Sequence, residues 1–436
     1  MGASMKLSTQ GYKGTRDFYP EDKRLQKAVF GQLRQVVENF GYQEYDGPLL
    51  EPLEIYKAKS GEELVNEQLY SFTDRGDRQV AIRPEMTPSL ARMVAARRQE
   101  LAYPLRLYSL PNLWRYERPQ RGRLREHWQL NIDLFGIEGV AGDHEIMVVA
   151  DSLLKAFGAT ADMYSLRFNH RGLLQHFLTD QLGLDAKTAA AASRLIDHHR
   201  KMSAADFKAA AKQLLKDAKR VEKLLEFLAT KDLDKLPGEP AKELQRLASL
   251  LSAADVTSAV FDPSIVRGLD YYTGIVFEVY DTHPDNNRAM FGGGRYDSLI
   301  GLFGVAPLPV VGFGMGDVTL QNFLELHKLL PELAPETDAV VILIGDVYEA
   351  AQPLLAELRA AGLNLAVDMS GRKLDASIKS AAKSGAPAAL FIGADELNQG
   401  QLKAKHLASG QEKTFGGAGA GSAIRDWLAS AGQTSA

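Results

Sequence analysis

Residues 103–138 read YPLRLYSLPNLWRYERPQRGRLREHWQLNIDLFGIE, and this stretch decides the fold. Tyr103–Trp114 is apolar and extended. A basic, polar stretch follows, and then a second apolar run, Leu130–Ile137. Strand, long charged loop and strand make an antiparallel pair. Working outward, Leu33, Val36, Val37 and Phe40 fall at i, i+3, i+4 and i+7, which predicts an amphipathic helix ended by Gly41. Val276–Tyr280 predicts a further strand, and Phe291–Asp297 a glycine-rich turn before a helical Leu299–Leu302. There is no regular βαβ rhythm in this part of the chain. The expected fold is therefore an α+β core on an antiparallel sheet.

Length and composition set the wider frame. At about 150 residues per domain, 436 residues suggest about three domains. Residues 185–250 are rich in Ala, Leu, Lys and Glu, and LLKDAKRVEKLLEFLATK is strongly helical. A helical domain is thus expected at 172–260, inserted between core segments 1–171 and 261–330. Leu330–Pro335 is punctuated by prolines and reads as a linker. Beyond it, at 337–436, strands at 339–345, 363–369 and 388–393 alternate with helices Glu349–Ala361 and Leu374–Lys383, each closed near a glycine. That rhythm predicts a small α/β domain with a largely parallel sheet. Gly416–Gly421 reads as a flexible tail.

The chain is 45% hydrophobic and 24% charged, which excludes a disordered or fibrous protein. No apolar run is long enough for a membrane helix, so no membrane association is expected. The N-terminus lacks the apolar stretch of a signal peptide. The absence of cysteine excludes disulfides, thiol catalysis and thiolate metal sites. These features favour a bacterial-type cytoplasmic protein. With a net charge of −4, any nucleic-acid partner must be met by local patches.

Arg115, Arg118, Arg121, Arg123 and Arg125 lie within one eleven-residue loop. A solvated hairpin loop accounts for them. So does an anion clamp, since guanidinium groups fork onto phosphate. Arg83–Pro88 (RPEMTP) presents a carboxylate and a hydroxyl on a proline-fixed backbone. It suits a helix N-terminus and a ligand ammonium equally well. Val266–Gly274 holds adjacent tyrosines between glycines, beside an Arg and an Asp, and makes a poor core segment. Gly292–Asp297 and Gly312–Gly316 match neither a P-loop nor a dinucleotide fingerprint. Glycines in strands do permit close approach of a ligand plane. The histidines show no metal-ligand spacing, so no protein-held metal is expected.

Together these segments resemble the histidyl-tRNA synthetase family of class II aminoacyl-tRNA synthetases. GTRDFYP (14–20) resembles its N-terminal signature, RPEMTPSLAR (83–92) its first histidine-binding motif, and RYERPQRGRLREHWQ (115–129) class II motif 2. RGLDYYTG (267–274) is similar to the segment that sets this family apart, and GGGRYD (292–297) follows as in the family. NHRGLL (169–174) is similar to the entry to the family's insertion, and 370–393 to its anticodon-binding domain.

The resemblance implies a class II catalytic domain in two parts, an inserted helical domain and a C-terminal anticodon-binding domain. It implies ATP-dependent activation of L-histidine to histidyl-adenylate and transfer to the 3′ end of tRNA(His). ATP would be used with Mg²⁺, by a cytoplasmic homodimer. Glu85, Met86, Thr87, Gln129, Asp133, Tyr271 and Tyr272 would bind histidine, with Asp133 and Tyr272 reading the imidazole. Arg115 and Arg267 would be catalytic, contacting both carboxylate and α-phosphate. Arg115, Glu117, Arg123, Arg267 and Arg295 would bind ATP.

Two departures stand out. The family's third class II motif usually ends in an ATP-contacting arginine, but 316–320 reads GDVTL. Either another cation, Arg295 or Arg123, substitutes, or ATP binding is altered. The imidazole-facing acid, often Glu in the family, is Asp133. The alternative is a non-catalytic synthetase-like protein of the kind that serves as the regulatory subunit of ATP phosphoribosyltransferase. That type lacks an anticodon domain.

Overall fold

A computed structural model describes residues 7–57, 67–120, 122–267, 272–286, 288–417 and 419–433. The chain divides into two compact units, Met1–Pro331 and Glu332–Ala436. None of the described helices is long and apolar enough to cross a membrane.

The first unit carries strands β1 (Gln43–Glu44), β2 (Leu50–Pro52), β3 (Tyr70–Thr73), β4 (Gln79–Ile82), β5 (Leu105–Ser109), β6 (Asn112–Trp114), β7 (Glu126–Phe135), β8 (Tyr164–His170), β9 (Ala259–Phe261), β10 (Ile275–Asp281), β11 (Ala289–Arg295) and β12 (Val310–Gly316). Nine of them form one sheet in the order β1-β5-β7-β12-β11-β10-β8-β9, with β6 pairing β7. Its ladders are antiparallel except β1–β5 and β8–β9. β2, β4 and β3 form a small separate sheet.

The antiparallel pair expected at 103–138 is present, but its first strand is broken. Leu110 and Pro111 separate β5 from β6, since proline cannot donate to the ladder. The expected turn at Phe291–Asp297 is instead strand β11. Laddered on both sides by β10 and β12, it forms despite three consecutive glycines. Neighbouring strands here override the weak strand propensity of glycine.

Helix Pro20–Asn39 starts with proline in its first turn and an Asp22 carboxylate accepting from the Tyr19 N–H at 3.1 Å. It buries Val29, Leu33 and Val37. Residues 171–253 hold a run of helices, several opened by side-chain caps: Asp185, Ser203 and Asp217 each accept from backbone N–H groups. Their apolar faces, with Leu224, Leu244, Leu247 and Leu251, join the same apolar core as Leu130 and Ile132 of β7.

In the second unit, β13 (Ala339–Ile344), β14 (Leu365–Asp368) and β15 (Ala388–Gly393) are parallel. β16 (Gln401–His406) and β17 (Glu412–Gly416) add an antiparallel hairpin, so the sheet is mixed and not largely parallel. The stretch read as a tail turns through Gly417 and Gly419, both at positive φ, into helix Ala420–Gln433, which buries Ile424 and Trp427. Ile344, Tyr348, Met369 and Leu374 are exposed at or beyond the C-terminal ends of β13 and β14.

Candidate active site

Side chains alternate along a strand, so Gln129, Asn131 and Asp133 of β7 share one face, while Leu130, Ile132 and Leu134 enter the core on the other. Across the ladder, Gly312 lies opposite Asp133, Gly314 opposite Asn131 and Gly316 opposite Gln129. On the next strand, Gly294 pairs with Gly312 and Gly292 with Gly314. Two central strands thus offer a face without side chains. Its space is used by neighbours. A Cβ at Gly312 would lie 2.3 Å from Asp133 Oδ1, and at Gly314 2.8 Å from Gln129 Cδ. At Gly294 it would lie 3.0 Å from Tyr272 Cδ1, and at Gly292 2.2 Å from Arg267 Nη1. Four of the expected histidine-site residues therefore rest on four glycines.

Asp133 is buried, and the Tyr296 hydroxyl donates to its Oδ1. Burial pushes its carboxyl up to about 7, against the opposing effect of that hydrogen bond. Tyr272 stands edge-on to Tyr296, ring centroids 6.4 Å apart. Arg267 adopts φ 54°, an uncommon backbone state for a residue with a side chain. Its Nη1 donates to the Phe277 carbonyl at 3.3 Å, and its guanidinium lies 5.6 Å from the Tyr272 ring centroid. Asn169, at the end of β8, donates to the carbonyls of Pro263 and Ile265 and so pins the approach to Arg267. Tyr271 lies outside the described residues.

The RPEMTP segment is fastened from beneath. Arg83 bonds to the Asn112 carbonyl, the Asp46 carboxylate and the Gly47 carbonyl. Glu85 and Met86 are buried, and Thr87 opens helix Thr87–Ala96. Arg115 joins this segment to motif 2, since its Nε donates to the Pro84 carbonyl at 2.9 Å.

The arginine loop divides its cations. Arg125 lies 4.0 Å over the Tyr116 ring and donates to the Tyr12 hydroxyl, so it braces the loop. Its backbone N–H and that of Glu126 reach the Gly14 carbonyl. Arg123 follows the turn at Gly122 (φ 78°) and is exposed, 3.6 Å from the Glu117 carboxylate. Arg118 is exposed, and Arg121 lies outside the described residues.

Arg295 corrects an expectation. Its guanidinium is buried against Asp143 at 2.5 Å and donates to the carbonyls of Gly139 and Ile137 at 2.8 and 3.1 Å. With Nη1 also 3.4 Å from the Asp297 carboxylate, all five N–H donors have acceptors within the protein, and Arg295 is withdrawn from the ATP site. Where the third motif lacks its arginine, Asp317 accepts from Arg16 and from the Trp128 N–H. The Thr319 hydroxyl bonds to the Met290 and Gly316 carbonyls. Sequence reasoning missed Tyr296 and Asn169. The first stands inside GGGRYD and the second inside NHRGLL, but their partners Asp133 and Pro263 lie far off in the chain, so neither motif announces the role.

A mostly antiparallel sheet bearing a glycine floor, flanked by a motif 2 loop and followed by a separate α/β unit, is the architecture of a class II aminoacyl-tRNA synthetase. The histidyl-tRNA synthetase model matches residues 14–317, and an anticodon binding domain model matches 338–426. A histidine–tRNA ligase of Leptospira biflexa is 44% identical over 420 residues, covering 94% of this chain and 96% of its own. That of Halobacterium salinarum is 38% identical, covering 92% and 94%. The crystal structure of histidyl-tRNA synthetase from Nostoc sp. PCC 7120 shares the fold at TM-score 0.81 and 23% identity, covering 97% of this chain and all of its own. The chain belongs to the histidyl-tRNA synthetase family.

Proposed function

We propose that the chain is a cytoplasmic, homodimeric enzyme that attaches L-histidine to tRNA(His). In the first step a histidine carboxylate oxygen attacks the α-phosphorus of ATP. The bond to the bridging oxygen breaks, and pyrophosphate leaves. In the second, a hydroxyl of the terminal adenosine of tRNA attacks the histidyl carbonyl, and AMP leaves. Neither step needs a covalent protein nucleophile; both need positioned cations and donors.

The observation that carries this reading is the seating of Asp133 and Tyr272 on the paired glycines Gly312 and Gly294. A carboxylate and a phenol side by side in a buried site suit an imidazole, which offers one donor and one acceptor when neutral. Gln129, Glu85 and Thr87 serve the α-ammonium, with Met86 as apolar wall. Arg115 and Arg267 serve the carboxylate and α-phosphate, and Arg123 the outer phosphates. Glu117, beside Arg123, orients that cation. ATP enters as its Mg²⁺ complex, with phosphate oxygens as the main ligands.

We assign the polypeptide to four parts: 1–171 and 261–330 for catalysis, 172–260 as the insertion, and 337–436 for the anticodon. In the last, exposed Tyr348 and Met369, with exposed Arg372 and Lys373 following Met369 in the chain, suit unstacked bases and phosphates. The match of 338–426 to an anticodon binding domain argues against a purely regulatory protein. Histidine-dependent ATP–pyrophosphate exchange by the purified chain tests the proposal. Exchange is expected with histidine and not with proline, threonine or glycine. Equal exchange with any of these rejects the assignment of Asp133 and Tyr272.

A further inference from the structure

Tyr296 is held from both sides. Its N–H donates to the Val310 carbonyl at 2.8 Å, and the preceding Arg295 is locked to Asp143. The ring is buried, 3% exposed, so the hydroxyl cannot wander. It donates to Asp133 Oδ1, the oxygen that lies above Gly312. The Asp133 side chain has a single methylene, and its Oδ1 lies where a side chain at residue 312 would begin. Its carboxylate therefore stays close to the sheet, where only glycine fits beneath it. Around it stand Tyr296 from the exit of β11, Tyr272 from the approach to β10, and Tyr45 just after β1. Among the described residues no cation bonds to it, and Tyr296 is the donor that steadies its charge.

We infer that Tyr296 is a specificity-determining positioning residue: its hydroxyl fixes the Asp133 carboxylate over Gly312 and leaves the second oxygen to accept the imidazole N–H of histidine. This rests on the reading that Asp133 and Tyr272 receive the imidazole. The geometry gives each oxygen one task. Without the hydroxyl, the carboxylate turns about its side-chain bonds and loses a charge-stabilising donor.

The test is ATP–pyrophosphate exchange by the full chain carrying Tyr296→Phe, with Asp133→Asn beside it. Tyr296→Phe is expected to raise KM for histidine by about 10- to 100-fold, the size of a hydrogen bond to a charged group, and to leave KM for ATP unchanged. Discrimination against 3-(2-thienyl)alanine, which has no ring N–H, should narrow. Asp133 must be ionised to accept, so histidine binding weakens as pH falls through about 7. The Tyr296 bond holds that carboxyl down, so in Tyr296→Phe the break moves to higher pH. The titration of free histidine is common to both proteins and cancels.

An unmoved break, or equal rises in both KM values, overturns the inference. If Asp133→Asn is impaired while Tyr296→Phe is silent, the role of Tyr296 is wrong and the site reading stands. If Asp133→Asn activates histidine normally, the site reading itself fails. Should Tyr296→Phe not fold, 3-fluorotyrosine at 296, a stronger donor of nearly the same shape, is expected to move the break downward. No movement overturns the inference.

Discussion

Two arginines meet strand β11 and are used in opposite ways. Arg295 ends the strand and is buried with its donors on Asp143, Ile137 and Gly139. Arg267 comes from the loop before β10 and lies on the strand's glycine face, its Nη1 where a side chain at residue 292 would begin. Both belong to motifs of the family, and both are cations close to the same sheet. Burial with a carboxylate makes the first a strut. A glycine seat and a backbone at positive φ hold the second on the bare face, where its proposed task is at the reacting phosphate. The difference teaches that a cation's duty is set by its acceptors and not by its motif.

The largest expected effect comes from breaking the strut. Arg295→Met leaves Asp143 buried without its counter-charge, which typically costs about 3–5 kcal/mol. Denaturant unfolding of the first unit should show this loss. In the fraction that stays folded, KM for ATP should not change. A selective rise in KM for ATP with unaltered stability would return Arg295 to the nucleotide and erase the contrast.

Arg267 should behave in the reverse sense. Removing one preorganised donor at reacting phosphates typically lowers rate by about 10²–10³. Arg267→Lys should be nearly as harmful as Arg267→Ala, because a point charge does not reproduce a planar fork. Transfer from preformed adenylate to tRNA should suffer much less, since pyrophosphate has already left. Single-turnover rates separate the two steps. Equal losses in both would make Arg267 another strut.

The glycine seat gives a third and smaller test. In Gly292→Ala the new methyl falls 2.2 Å from Arg267 Nη1 and 2.3 Å from the Phe277 carbonyl oxygen, so side chain and strand must both give way. Overpacking of this kind costs about 1–3 kcal/mol, and adenylation should drop by a comparable factor of about 10 to 10². Combined with Arg267→Ala, most of the loss in adenylation should already be present, because both changes act through one guanidinium. Full additivity would show that residue 292 matters for the sheet alone.

These contrasts also mark what the sequence made legible. The strand–loop–strand pattern at 103–138 is enough for an antiparallel core, and RGLDYYTG points to the site. The glycine floor is harder to see, because GGG and GFGMG look like turns when read by propensity. Its signal is period two: Gly312, Gly314 and Gly316 alternate with Phe313 and Met315, as one bare face and one apolar face require. The hairpin at 401–416 carries the same kind of signal in QLKAKH, where Leu402, Ala404 and His406 are buried in turn. Arg295 was beyond sequence reasoning for a different reason. Its partner Asp143 lies 152 residues away in the chain, and no local pattern announces the pair.

The smallest expected effect belongs to a third kind of arginine, neither buried nor seated. Arg123 is 59% exposed at its side chain and stands 3.6 Å from Glu117. In water a charge this open is well screened, and exposed pairs contribute little. The role proposed for it is therefore to draw in the outer phosphates of ATP, not to stabilise the reacting centre. Arg123→Ala should raise KM for ATP by about three- to tenfold and leave kcat for exchange nearly unchanged. The rise should shrink as salt is added, because screening at about 0.15 M already reaches across ~8 Å. Initial-rate exchange at two ionic strengths makes the measurement. A loss in kcat as large as that of Arg267→Ala, insensitive to salt, would mean that the loop closes over ATP and turns Arg123 into a buried donor. The missing arginine of the third motif would then have its replacement in this loop.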